Sequence, residues 1–315
     1  MLKIFFASDV HGCEVCFRKF LNAGKFYRVN IVMLGGDLTG KIVVPVVKQS
    51  GGTYIANLSG REWEVRTQSE IDNLTKLIQN SGYYPYLTTE EEMQTLQSNE
   101  ENVKNLFSEL MASTMRRWIQ LAENRLRDAN IHCFITPGND DQFVIDEVIN
   151  ESDFVLNPEG QVVDLGEGLE MISTGFTNPT PWNTPRELSE EELEKKIEAM
   201  AIQVRNMNSC IFNFHCPPIG TIIDQAPKLD ETMKVVRKSG HVIMLDAGSQ
   251  AVRNTIEKHQ PLLGLHGHIH EGKGVVQIGR TTCLNPGSEY SEGILRGVIV
   301  ALDKAKIKSH LFTSG

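Results

Sequence analysis

Seven side chains able to ligate a metal stand in five short segments: Asp9-Val10-His11, Gly36-Asp37, Gly138-Asn139, His215 and Gly267-His268-Ile269-His270. Two Asp, one Asn and four His offer oxygen and imidazole donors without a thiolate. Such a set suits Mn, Fe or Zn in a reactive site rather than a structural zinc. On an extended segment His268 and His270 put both imidazoles on one face, because side chains alternate with period two. About seven such ligands suffice for two divalent ions with one carboxylate shared between them. Singly each segment is weak: a lone DxH arises by chance, and a lone His after a strand is more often a satisfied polar residue. The weight lies in the set.

An apolar run precedes each segment. Lys3–Ala7, Asn30–Leu34, His132–Thr136, Cys210–Phe214 and Pro261–Leu265 read as buried strands. A helix from about Cys13, with Phe17, Phe20 and Leu21 at helical spacing, separates the first two. Strand, loop, helix, strand is the opening of an α/β fold, whose sites gather beyond the C-terminal strand ends. All five segments should therefore emerge at one edge. Further strands are expected at Gln161–Leu165, Leu169–Ser173, Val275–Ile278, Gly297–Leu302 and Lys308–Phe312. Helices are expected from Ser189, where Ser189 and Glu192 spell a capping box, and over Ser249–Lys258.

Residues 41–130 interrupt this alternation. They carry the aromatic cluster Tyr83, Tyr84, Tyr86 and an acidic stretch around Glu90–Glu101. A long amphipathic segment follows, in which Val103, Phe107, Leu110, Met111, Trp118, Ala122 and Leu126 recur near helical spacing. The stretch reads as a mostly helical insertion in a single 315-residue domain, placed as a cap or a dimer surface near the site entrance. The loop Gly175–Glu187 and the Tyr83–Tyr86 cluster are candidate substrate walls, and Arg186, the one cation in that loop, could meet a phosphate or carboxylate.

The order DxH, GD, GN, lone His, GHxH resembles the calcineurin-like metallophosphoesterase family over most of the chain outside residues 41–130. Asn285-Pro286-Gly287-Ser288 is similar to a loop of its small bacterial and archaeal members. The resemblance implies a four-layer α/β/β/α sandwich of two mixed sheets. It further implies that Asp9, His11 and His270 hold one metal, that Asn139, His215 and His268 hold the other, and that Asp37 bridges them. The implied reaction is hydrolysis of a phosphate ester, with a phosphodiester expected, by a hydroxide between the two ions (Mn, Fe or Zn). Asn139 would ligate through its amide oxygen and add no charge. The family commonly reads G-N-H-D/E, the His contacting phosphate and protonating the leaving group. Here Asp140 stands in its place, so Asp140 and Asn139 are the candidate catalytic residues and the acid step is the open point. His132 and His241 are conceivable substitutes but read better as structural, and His266 as a strand residue behind the site. The rival reading is a scaffold of the same fold without catalysis.

Composition sets the partners. The chain is 40% hydrophobic and 23% charged with a net charge of −9, an ordinary globular balance. A small phosphorylated substrate is expected, and nucleic acid is disfavoured for want of a basic stripe. No stretch approaches the roughly 20 apolar residues of a membrane span. The opening run before Asp9 has no signal-peptide pattern, and six scattered cysteines favour a reducing, cytoplasmic setting. The Cys13/Cys16 pair has no second pair to answer it and reads as two small helix residues. A homo-oligomer is left open.

Overall fold

The computed structural model describes residues 1–315 as a mixed α/β fold. The first part runs β1 (Leu2–Ala7), α1 (Glu14–Phe26), β2 (Ile31–Gly35), β3 (Val43–Lys48), β4 (Tyr54–Leu58), β5 (Arg61–Val65), α2 (Gln68–Asn80), β6 (Tyr84–Thr89), α3 (Glu90–Gln97) and α4 (Glu100–Leu126). Next come β7 (His132–Thr136), α5 (Val144–Asn150), β8 (Val155–Leu156), β9 (Val162–Gly166), β10 (Leu169–Thr174), α6 (Glu190–Ala201) and β11 (Cys210–Phe214). The remainder is β12 (Gln225–Pro227), β13 (Arg237–Lys238), β14 (His241–Val242), β15 (Met244–Asp246), α7 (Gln250–His259), β16 (Leu263–Leu265), β17 (Gly274–Ile278), β18 (Thr281–Asn285), β19 (Arg296–Leu302) and β20 (Ile307–Ser314).

Two six-stranded sheets carry the core, ordered β20-β19-β1-β2-β7-β8 and β17-β18-β16-β11-β10-β9. In each, four strands are parallel: β1, β2, β7 and β8 in one, β10, β11, β16 and β18 in the other. Parallel strands covered on both faces need continuous apolar runs rather than alternation, and β2 and β11 are buried at every residue. Period-two geometry still sorts their side chains. Ile4 and Phe6 join Met171, Ile211, Leu263 and Leu265 in one apolar cluster, which both sheets feed. Phe5 and Ala7 point the other way, into a cluster with Phe17, Phe20, Trp118 and Ile145 of the helices. A third cluster sets Phe212, Phe214 and Cys283 against Leu193 and Ile197 of α6 and Val252 and Ile256 of α7. Ser189 caps α6 with Glu192 as the sequence suggested. All six cysteines are free and buried, and no helix is long and apolar enough to cross a membrane.

Residues 41–130 carry the helices α2, α3 and α4, and two further features qualify the expectation of a mostly helical insertion. Four strands, in the order β5-β4-β3-β6, form a separate small sheet with its own apolar cluster around Val44, Val46, Ile71 and Ile78. The long helix α4 is neither cap nor appendage. Met111, Met115, Trp118, Ala122 and Leu126 lie in the same cluster as β1 and β2, so α4 covers the first sheet beside α1. Trp118 stacks on Phe17 at 4.1 Å and its indole N–H donates to Glu14 at 2.6 Å. The other unforeseen element is an antiparallel ribbon, β12 with β15 and β13 with β14, between His215 and α7.

Candidate metal centre

The five ligand segments leave the C-terminal ends of β1, β2, β7, β11 and β16, and the fold brings them together. The backbone there is forced. Asp9, His11, Asp37 and His268 all adopt positive φ, at 57°, 41°, 51° and 65°. A non-glycine residue in that region costs about 1–3 kcal/mol and persists only where its surroundings over-determine it. Glycines permit the crowding. A Cβ on Gly36, itself at φ 122°, would lie 2.2 Å from His215 Nδ1, and one on Gly267 would lie 2.5 Å from Asp9 Oδ2. The glycines of GD and GHxH are thus close-approach residues, which let one ligand loop touch the next.

Two separate triads result, Asp9/His11/His270 and Asp37/His215/His268, and a third set, His11/Asp37/Asp140, overlaps them; in each the ligand atoms lie within 4.8 Å of one another. Asp37 faces both: Oδ1 is 3.3 Å from His215 Nε2 and Oδ2 is 3.6 Å from His11 Nε2. Within the first triad, His11 Nε2 and His270 Nε2 approach to 3.1 Å, and His270 Nε2 lies 3.4 Å from Asp9 Oδ1. Asn139 joins the second, its Oδ1 3.1 Å from His215 Nε2. Asp9, His11, Asp37, Asn139 and His215 are buried, and His268 and His270 are partly so.

Orientation is set by the groups behind. His215 Nδ1 donates to the Gly35 carbonyl at 2.8 Å, which leaves Nε2 aimed into the cluster. Asn139 Nδ2 donates to Thr184 Oγ1 at 2.9 Å, which turns its Oδ1 inward. Asp9 accepts the His268 amide on both oxygens at 3.1 Å. Asp141, fully buried, accepts from the amides of Leu38, Thr39 and Gly138 and from Thr39 Oγ1, and so ties the Asp37 loop to the Asn139 loop. Ser288 donates to the Asp9 carbonyl, while Asn285 Nδ2 donates to the Gly267 and Ile269 carbonyls. The NPGS loop is therefore a brace for two ligand segments.

Charge is balanced among the same residues. Burial alone would raise the Asp37 and Asp9 carboxyls, but the imidazoles outweigh it: His215 chiefly holds Asp37 well below the usual range, and His215 with His270 brings Asp9 to about 2. Burial works against a charged His215, yet Asp37 and then Asp9 carry it up to about 10. Burial pushes His11 down to about 3 and His268 to about 4, so both present neutral imidazoles. His11 Nδ1 is buried without a hydrogen-bond partner. Two anionic carboxylates, an amide oxygen, facing imidazole nitrogens and an orphaned ring nitrogen fit divalent cations.

Other expectations are redirected. Arg186 meets no ligand: it is buried, donates to the Asp141 and Gln142 carbonyls and pairs with Asp146, locking the segment after Asn139. Its loop serves the site through Thr184 rather than through a cation, and Trp182 on it is 62% exposed. His132 opens β7, at the strand end opposite the ligand segment, and His241 lies exposed in β14; neither joins the ligand groups. His266 is buried behind the site, its Nδ1 on the Phe214 and Cys216 carbonyls. Of the tyrosine cluster, Tyr84 is buried and its hydroxyl accepts from the Gly40 amide at 2.8 Å. Asp140 is mostly buried; its amide donates to Asp37 Oδ1 at 3.1 Å and its carboxylate pairs with Lys41. Lys41, Asp141, Thr184 and Tyr290, whose ring lies 4.6 Å from His11, escaped the sequence reading. The pattern Gly-Asn-Asp-Asp was visible, but only the fold shows that its second Asp holds backbone.

No family model matches the chain. A 153-residue stretch is 33% identical to the uncharacterized protein MJ1162 of Methanocaldococcus jannaschii, covering 48% of this chain and 61% of that relative. One solved crystal structure aligns with 99% of this chain and 98% of its own length at a TM-score of 0.57 and 15% identity. The crystal structure of TT1561 of Thermus thermophilus aligns with 100% of this chain and 98% of its own, at a TM-score of 0.53 and 13% identity. What the two solved structures share with the chain is the fold, an α/β architecture over nearly the entire length.

Proposed function

We propose that this chain is a hydrolase of phosphate esters, phosphodiesters foremost, working with two divalent cations. Asp9, His11 and His270 would hold one and Asn139, His215 and His268 the other, with Asp37 shared. The observation that carries the reading is Asp37: one buried carboxylate turns one oxygen to each ligand set. The three apolar clusters support the layered α/β/β/α arrangement that would bring both sets to one edge. Bound there, such ions would supply an acidified water as nucleophile and positive charge towards the phosphoryl oxygens. The chain's own residues do the rest. Gly35 holds the His215 tautomer, Thr184 holds the Asn139 amide, and Asp141 ties the Asp37 loop to the Asn139 loop. Asp140, in the variant GND sequence, borders the cluster as a carboxylate tied to Lys41.

Protein dialysed with Mn²⁺ should approach about two ions per chain by elemental analysis and should cleave bis(p-nitrophenyl) phosphate, with cleavage lost on chelation. Metal content near zero, with thermal stability unchanged by chelator, would overturn the reading. Two ions without cleavage of any diester would favour the scaffold instead.

Proton release gives an independent check. His215 Nε2 can hold a proton or a cation, not both, and its Asp37 partner holds the proton well above neutral pH. Loading at pH 7 should therefore release about one proton per chain or more, and affinity should strengthen about tenfold per pH unit for each proton displaced. Indicator-dye titration in weak buffer measures it. Loading with no proton release between pH 6 and 8 would remove His215 from the ligand set.

A further inference from the structure

Lys41 leaves the loop that carries Asp37, at the point where Gly40 passes into β3. Gly40 is wedged: its amide donates to Tyr84, and a Cβ there would lie 2.0 Å from the Gly82 carbonyl oxygen. The backbone under Lys41 is therefore held in place by the small sheet and its helix. From it, Lys41 Nζ reaches Asp140 Oδ2, the same oxygen that lies 3.8 Å from His11 Nδ1. The lysine side chain is 56% exposed and that of Asp140 only 13%, so the ammonium sits on the solvent side of the cluster with Asp140 beneath it. Tyr290 borders the same mouth, packed on His11 at 4.6 Å and on His270 at 5.8 Å. Burial disfavours a charged Lys41, but Asp140 outweighs it and keeps the ammonium fully charged. Arg186, by contrast, is spent on Asp146.

With its lysine end in solvent, the pair is screened and adds little to stability. It also sets the Asp140 carboxylate beside Asp37, where like charges repel. What the arrangement does well is hold an exposed cation over the ligand cluster. We propose that Lys41 is a substrate contact of this site: its ammonium passes from Asp140 to an anionic oxygen of the arriving phosphoryl group, and Asp140 is the tether that keeps it at the mouth. The proposal rests on the phosphoesterase reading and deepens it by assigning recognition of the phosphoryl charge to a residue of the small inserted unit.

Lys41→Met tests it, with Lys41→Arg as the conservative partner. Binding of inorganic phosphate to Mn²⁺-loaded protein is measured by calorimetry, beside the kinetics with bis(p-nitrophenyl) phosphate. Loss of one charge-assisted hydrogen bond should weaken phosphate about 10- to 100-fold, and KM should rise. Metal content and Tm should stay at the wild-type level, and Lys41→Arg should recover much of the phosphate affinity. A Lys41→Met protein that binds phosphate as tightly as wild type overturns the Lys41 assignment and leaves the metal centre standing. So does a wild type that loads Mn²⁺ but ignores phosphate. A wild type that loads no metal and binds no phosphate overturns both.

Discussion

Asp37→Asn should cost both metal positions at once and lower diester cleavage by about a thousandfold or more. The carboxylate turns a separate oxygen to each triad, Oδ1 towards His215 and Oδ2 towards His11, whereas Asp9 offers the same Oδ1 to His270 at 3.4 Å and to His215 at 3.9 Å. The amide keeps the shape but removes the charge, and whichever end carries its NH₂ presents a donor where a cation belongs. Losing about 4 kcal/mol of charge stabilisation corresponds to about three orders of magnitude in rate. The substitution also removes the largest support for the His215 proton, so metal-free Asp37→Asn should hold that proton less tightly. Asp9→Asn is the comparison, because Asp9 lies with His11 and His270 and its loss should spare much of the second ion. Elemental analysis and steady-state kinetics of the two variants decide it. If Asp37→Asn kept full metal content and activity, the shared-carboxylate assignment would be wrong.

The ligand loops were legible because each obeys a local rule. Apolar runs such as Ile31-Val32-Met33-Leu34 admit little but a buried strand, and the polar residue that ends each run must lie at the strand's C-terminal end. Strand His132–Thr136 and strand Cys210–Phe214 match the reading residue for residue. The small sheet was hidden by its prolines. Pro45 and Pro85 argue against strands, yet Pro45 lies in the part of β3 that pairs only with β6, beyond the Val47–Ile55 and Lys48–Tyr54 pairs to β4. A proline is tolerated where one side of a strand has no partner. Helix α4 showed its apolar stripe in sequence, but a stripe does not say against which surface it packs. That is settled by Trp118 meeting Phe17, more than a hundred residues away.

The supporting residues were illegible for a different reason. Asp141 reads as one more surface carboxylate until Leu38 and Thr39 are brought within hydrogen-bond reach. Arg186 reads as a free cation until Asp146 and two carbonyls consume its donors. Residue type marks a ligand, because few side chains can ligate. It does not mark a brace, because nearly any polar side chain can be one.

Cleavage should depend steeply on the leaving group, with activated aryl diesters hydrolysed about 10²–10⁴ times faster than alkyl ones, the span general acid catalysis typically contributes. The leaving oxygen needs a proton or must depart as an anion. Asp140 is the carboxyl at the mouth of the cluster, beside Lys41 and Tyr290. Burial and the neighbouring Asp37 raise its carboxyl to about 7 even with Lys41 paired to it, and it is cations on either ligand set that would favour its ionised form. An ionised Asp140 has no proton to give, so the departing oxygen relies on its own low pKa. Asp140→His places an imidazole there and should restore part of the alkyl activity if the ring reaches the leaving oxygen. The comparison belongs on kcat, since freeing Lys41 from its tether acts on KM. A series of diesters of graded leaving-group pKa, run with wild type, Asp140→His and Asp140→Asn, measures the slope. A flat dependence in wild type together with collapse in Asp140→Asn would make Asp140 itself the acid and overturn this assignment.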